Sequence, residues 1–172
     1  MPLKVYLAGP DVFRVDADAY FACLKAELFA LGLEGVSPLD GELSAHESPA
    51  ALAYAIYHAN IARIAEADAV LANLAWFRGT EPDSGTAFEL GFAAALKKPV
   101  FAYNVPAVPM QRRLAGELAL VADGDTLRDA AGMEVENFGL PLNLMLAVSA
   151  QCHETREAAL AALAAFLRPA AR

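Results

Sequence analysis

The chain has 172 residues, the length of one domain with a full hydrophobic core. Its formal net charge is −8, and no basic run is long enough to follow a phosphate backbone. That balance excludes polymeric nucleic acid as the natural partner and leaves a small, largely uncharged ligand.

Taken in chain order, Lys4 to Ala8 is a short apolar run ending at Gly9-Pro10, a buried strand followed by a turn. Tyr20 to Leu33 carries Phe21, Leu24, Leu28 and Leu31 at helical spacing and stops at Gly32. A second short strand is expected over Gly35 to Leu39. Ser48-Pro49 is a helix start, a capping hydroxyl followed by proline at the first helical position, and that helix should run to about Ala67. Asp68 to Leu74 reads as a central strand, apolar on both faces. A polar loop, Phe77 to Asp83, follows it. Asp83 or Ser84 then caps a helix from Gly85 to Lys97, and Pro99 to Tyr103 is the next strand. After a mixed stretch come an apolar segment, Leu140 to Ala150, and an amphipathic helix from about Thr155 to Leu167.

Strands alternating with helices imply a doubly wound parallel α/β sheet in a single domain spanning residues 1–172. Ligands of such sheets bind beyond the C-terminal strand ends, where Tyr6 to Phe13 and Asn73 to Glu89 both fall. The longest uncharged stretch, Asn137 to Cys152, is too short and too broken by Gly139, Pro141 and Asn143 to span a membrane. Cys23 and Cys152 form no CxxC or zinc spacing, so a reducing, cytoplasmic setting is expected. Met1 to Tyr6 runs straight into the first strand, and no signal peptide is expected.

The most informative window is Asp83 to Gly91. Glu89 stands among Phe88, Leu90, Phe92 and Ala93 on a helix otherwise free of charge until Lys97. A carboxylate there is partly desolvated yet near a positive helix end, so it can stay ionised while poorly hydrated, as a nucleophile should. The same position also fits a solvent-facing helix glutamate. Asp83 fits an ordinary N-cap, a role compatible with facing the ligand crevice. Tyr6 fits a core tyrosine whose hydroxyl is satisfied elsewhere, and Gly9-Pro10 a simple turn.

Three segments together resemble the nucleoside 2-deoxyribosyltransferase family: Tyr6-Leu7-Ala8-Gly9-Pro10-Asp11-Val12-Phe13, then Asp83 through Gly91, then Gly139-Leu140-Pro141-Leu142-Asn143-Leu144-Met145. The resemblance implies a flavodoxin-like fold, no cofactor, no metal, and a homo-oligomer with shared active sites. Its donor is a 2-deoxynucleoside and its acceptor a free nucleobase. By the same resemblance Glu89 is the nucleophile, Asp83 contacts the base and assists its protonation, and Tyr6 orients the nucleophile. Gly9, Asp11 and Phe13 fall in the substrate-binding first segment. Asn143 and Met145 match residues donated by a neighbouring subunit. Asn60 falls where some members carry a second base-contacting aspartate, a departure that bears on base preference and proton delivery, because an amide is no acid at neutral pH.

Other candidates fare worse. His46, His58 and His153 have no paired spacing for a metal. Cys152 and His153 are adjacent and would point apart on a helix. Arg112-Arg113 reads as a solvated loop, and Phe77-Arg78-Gly79 either lines the base pocket or punctuates the loop. Two other functions suit the same fold: a 2-deoxynucleoside 5-monophosphate N-glycosidase and a non-catalytic nucleotide-sensing module. The first would need a phosphate pocket, and Asp11, Asp16 and Asp18 outnumber Arg14 in the first loop.

Overall fold

Side-chain alternation along the first strand decides which face of the sheet the site opens on. A computed structural model of the chain describes residues 1–41 and 48–168. Its elements are β1 (Leu3–Ala8), a 3-10 turn (Pro10–Phe13), α1 (Ala17–Ala30), β2 (Leu33–Val36), α2 (Pro49–Glu66) and β3 (Ala69–Asn73). Then follow α3 (Ser84–Ala95), β4 (Val100–Tyr103), α4 (Met110–Glu117), β5 (Val121–Asp123), β6 (Thr126–Arg128), α5 (Leu144–Ser149), β7 (Gln151–Cys152) and α6 (Arg156–Leu167). Five strands form one parallel sheet in the order β2-β1-β3-β4-β7, the flavodoxin-like arrangement. β5 and β6 pair separately as an antiparallel hairpin.

The period of two along β1 splits the core into two layers. Val5 and Leu7 pack with Leu24, Leu28 and Leu163 of α1 and α6. Tyr6 and Ala8 face the other way, onto Ile64 of α2 and Leu90 and Ala93 of α3. Val5, Tyr6, Leu28, Ile64, Leu90 and Leu163 have no measurable exposure. Each large apolar side chain buried this way contributes about 1.5–3 kcal/mol. Tyr6 is therefore a buried tyrosine, as a core reading demands, but it lies on the face that carries α3.

The chain departs from the expected boundaries in three places. α1 begins at Ala17, three residues before Tyr20, and ends at Ala30, because Gly32 at φ 80 turns the chain early. β2 therefore starts at Leu33, aligned with Leu3, and ends at Val36 instead of running to Leu39. Beyond it the Asp40 carboxylate accepts from the Ser37 backbone N–H at 2.9 Å and so closes a turn. Third, Leu140 to Ala150 is not one apolar element: Asn143 caps the short α5, after which the chain enters β7 at the sheet edge. Cys152 is thus on a strand, not a helix.

Arg113 corrects the reading of Arg112-Arg113 as a solvated loop. It lies on α4 with its side chain 7% exposed, its guanidinium 4.0 Å from the Trp76 ring centroid and donating to the Thr80 carbonyl at 2.7 Å. It holds the loop that leads into α3. His58 is exposed and packs on the rings of Tyr54 and Tyr57, His153 is half-buried, and His46 lies outside the described residues. No described helix is long and apolar enough to cross a membrane. Among the described residues no three His, Cys, Asp or Glu side chains cluster as a metal site.

Candidate active site

At the C-terminal ends of β1 and β2, roofed by α2 and α3, lies a pocket of about 440 Å³. Its walls include Gly9, Phe13, Asn60, Asp83, Gly85 and Glu89. Six of the nine residues singled out from the sequence serve the pocket: those five other than Gly85, together with Tyr6, which reaches it from beneath through Glu89. The Tyr6 hydroxyl donates to Glu89 Oε1 at 2.6 Å, a short charge-assisted bond across 83 residues of sequence. It occupies one oxygen of the carboxylate.

Glu89 is the sixth residue of α3, beyond the reach of the helix end, whose field falls off within the first turn. Burial therefore prevails. It pushes the Glu89 carboxyl up from 4.5 to about 7; the Tyr6 hydrogen bond pulls the other way, and the Asp83 charge adds to the rise. The expectation that the helix end keeps Glu89 ionised is corrected: near neutral pH it is poised between its two forms. The Tyr6 hydroxyl is in turn driven far above its usual range by burial and by the Glu89 charge beside it.

A stability prediction follows from the direction of that shift. A carboxyl with a folded pKa above its unfolded value favours folding in its protonated form. The contribution is full below about 4.5 and disappears as pH rises through about 7. Glu89→Gln imitates the neutral acid, so it should match the wild type in acid and gain on it above pH 7, by at most about 3 kcal/mol. Denaturant melts of both proteins from pH 5 to 8.5 check this. A stability difference that does not change with pH contradicts the shift.

Asp83 serves as the N-cap of α3. Its Oδ2 accepts from the Thr86 N–H at 2.8 Å and the Thr86 hydroxyl at 3.0 Å. Its Oδ1 bonds to no described residue. Capping and pocket-lining thus coexist in one side chain. A side chain at Gly85 would stand 3.0 Å from that carboxylate. Gly9 is required more strictly: at φ 154 a Cβ would come within 2.8 Å of Asn73 Cβ, so only glycine lets β1 leave the sheet here.

Phe13, 60% exposed, stacks on Phe77 with ring centroids 5.3 Å apart, and the Arg78 guanidinium lies over both rings. This ties the loop after β3 to the pocket rim.

Three of the sequence-derived residues are not at this pocket. Asp11 is buried and accepts from Asn73 Nδ2 at 2.9 Å, with its carboxyl raised by burial. It faces a separate polar cleft beside Tyr20, Tyr103 and Arg156. Asn143 and Met145 stand at the start of α5, which packs on α3, and neither lines the pocket. The Asn143 amide is satisfied within its own chain: Nδ2 donates to Glu136 Oε1 at 2.6 Å, and Oδ1 accepts from the Met145 N–H at 3.0 Å.

Sequence reasoning missed Arg63, Thr86 and Glu136. Arg63 stands one helical turn after Asn60 and donates to its Oδ1 at 3.1 Å, a relation the i, i+3 spacing could have suggested. Thr86 was likewise available as the partner of a capping aspartate three residues before it. Glu136 sits in irregular chain with no periodicity to mark it.

The comparisons with known proteins bear on the family and the fold. Residues 5–145 match the family described as Nucleoside 2-deoxyribosyltransferase. A solved 2-desoxiribosyltransferase from Leishmania mexicana is 35% identical, with a TM-score of 0.78 over 97% of this chain and 100% of that one. A conserved protein from Enterococcus faecalis V583, 20% identical, shares the fold at a TM-score of 0.59 over 97% of this chain and 100% of its own. An uncharacterized protein of Schizosaccharomyces pombe is 31% identical over 155 residues, 82% of this chain and 74% of that protein. The matched span starts one residue before Tyr6 and ends on Met145, taking in the whole pocket, and the chain belongs to the nucleoside 2-deoxyribosyltransferase family.

Proposed function

We propose that the protein moves 2-deoxyribose from a 2-deoxynucleoside to a free nucleobase through a covalent bond to Glu89. The observation that carries this reading is the hydrogen bond from buried Tyr6 to Glu89 in the pocket wall, which leaves the other carboxylate oxygen bonded to no described residue. Breaking the bond between sugar and base builds positive charge at the anomeric carbon, as in glycoside hydrolysis. The free oxygen of ionised Glu89 stabilises that charge and bonds to the carbon, while the bonding pair leaves with the base. Tyr6 holds the other oxygen, which fixes the direction of attack and tempers the nucleophile.

The departing base must gain a proton. Asp83, with Oδ1 bonded to no described residue, is the group assigned to deliver it. A second base then enters on the vacated side, gives its ring N–H proton to Asp83, bonds the anomeric carbon as the bond to Glu89 breaks, and returns the original stereochemistry. The absent 2-hydroxyl eases the build-up of charge on the sugar, which suits a deoxyribose donor. Glu89, Asp83 and Tyr6 are thus the proposed catalytic group, and Gly9, Phe13 and Asn60 line the substrate space. Asp11, bonded to Asn73 behind the strand end, does not line that space.

Incubating deoxyinosine with adenine tests the reaction. Deoxyadenosine is the expected product, hydrolysis alone indicates a glycosidase, and binding without turnover a sensing module. With donor and no acceptor, rapid acid quenching and intact-mass measurement should show a deoxyribosyl adduct that peptide mapping assigns to Glu89. An adduct on any other residue overturns the mechanism.

A further inference from the structure

Resting on the transfer reading above, we propose that the Arg63–Asn60 pair makes the pocket select bases presenting a carbonyl oxygen over bases presenting an amino group at the edge facing α2. Asn60 lines the pocket from α2. An amide is ambiguous in recognition, offering an acceptor and a donor at opposite ends, and its orientation decides which one meets the ligand. Here the orientation is set chemically. Arg63 Nη1 donates to Asn60 Oδ1 at 3.1 Å, and a guanidinium has donors only. Turning the amide over would set its two N–H groups against those donors.

Arg63 is itself held in place. Its Nη2 donates to the Asp40 backbone carbonyl. Asp40 is fixed by bonds to its carboxylate from the Ser37 N–H and hydroxyl, both at 2.9 Å, and by pairing with Lys25. The chain of contacts runs from α1 through the turn after β2 to α2 and ends on one amide. With Oδ1 engaged by Arg63 and Nδ2 bonded to no described residue, Nδ2 is the donor that this lining residue has to offer a ligand.

A carbonyl oxygen in that position accepts from Nδ2 and lies near the positive Arg63. An amino group there sets donor against donor, and the Asn60 N–H is left desolvated without an acceptor, the situation that a polar site rejects most strongly. Hypoxanthine and uracil should therefore be preferred to adenine and cytosine by about 10-fold or more. The selection is between keto and amino forms, whichever ring system the pocket admits.

The test has two readouts. One is kcat/KM for hypoxanthine against adenine, and uracil against cytosine, as acceptors with a single deoxynucleoside donor. The other is equilibrium binding of the free bases by calorimetry, which needs no turnover. The wild type should favour the keto base in both. Asn60→Asp, an acceptor paired with Arg63, should erase or invert the preference, and Asn60→Leu should bring the paired bases to near parity. Equal use of keto and amino bases by the wild type, or a ratio unmoved in Asn60→Asp, overturns the proposal. Absence of transfer with every base overturns the transfer reading instead, and base binding then still decides the selection.

Discussion

Glu89→Ala should lower the turnover of deoxyribosyl transfer by about 10³-fold or more, the scale expected for losing a catalytic nucleophile, while the protein stays folded. The folding half of that statement rests on position. Glu89 follows the half-exposed Phe88 in the middle of α3, and the helix itself is anchored by the adjacent Leu90 and by Ala93 one turn on. Alanine is the residue a helix interior accepts best. The variant does leave the buried Tyr6 hydroxyl without its acceptor, a cost of about 1–3 kcal/mol. Glu89→Gln avoids this cost, because the amide oxygen still accepts from Tyr6, yet its neutral oxygen is far too weak a nucleophile to bond the sugar. Both variants should therefore fail in transfer, whereas their stabilities differ. Steady-state transfer assays beside thermal melts separate the two effects. A folded Glu89→Ala protein with near-normal transfer sinks the covalent mechanism.

How much of this was legible before the structure depends on what each residue's role rests on. Roles set by local pattern could be read. The apolar run of β1 and the cap at Asp83 follow from periodicity and turn chemistry, and the parallel sheet from the alternation of strands and helices. Glu89 stands out as a lone carboxylate, but local pattern fits a solvent-facing glutamate equally, and its proposed role as nucleophile comes from the family resemblance. Roles set by burial or by contacts distant in sequence could not. Nothing local shows that Tyr6 and Glu89 meet, because the register of β1 against β3 and the packing of α3 over them bring the two together. Nor does it show that burial outweighs the helix end at Glu89.

Asp11 illustrates the same limit at shorter range. It stands two residues before Phe13, but the 3-10 turn sends the two side chains to opposite sides of the strand end, Phe13 to the pocket and Asp11 to Asn73. α2 is the opposite case. Of its 18 residues Pro49–Glu66 only Ile64 is buried, so its apolar spacing marks a helix without marking a core face. Tyr54 and Tyr57 remain exposed on it. Its value to the site comes from the two polar residues, Asn60 and Arg63, that periodicity passes over.

The largest gain of activity is expected from mixing two inactive proteins, and it follows from where α5 lies. This short helix has no buried residue, and Met145 and Val148 are 72% and 74% exposed. It packs on α3, whose Phe88 is half-exposed as well. Such an exposed apolar surface suits contact with a second copy of the chain. Asn143 is already satisfied by Glu136, so an unpaired amide gives no argument for an interface; the exposed apolar neighbours do. Glu136 instead fixes Asn143 and the Leu144 N–H in one position. If Asn143 completes the pocket of another subunit, Glu89→Ala and Asn143→Ala each disable every site of their own homo-oligomer. When the two exchange subunits, one site of a reciprocal pair carries both lesions and the other carries none. For a dimer mixed in equal amounts, about a quarter of wild-type activity should return. If each chain holds its whole site, every site keeps one lesion and the mixture stays inactive. Native mass spectrometry establishes that exchange has occurred, and melts establish that Asn143→Ala, which loses an α5 cap, is still folded. Continued inactivity after proven exchange of folded subunits places Asn143 outside the neighbour's site.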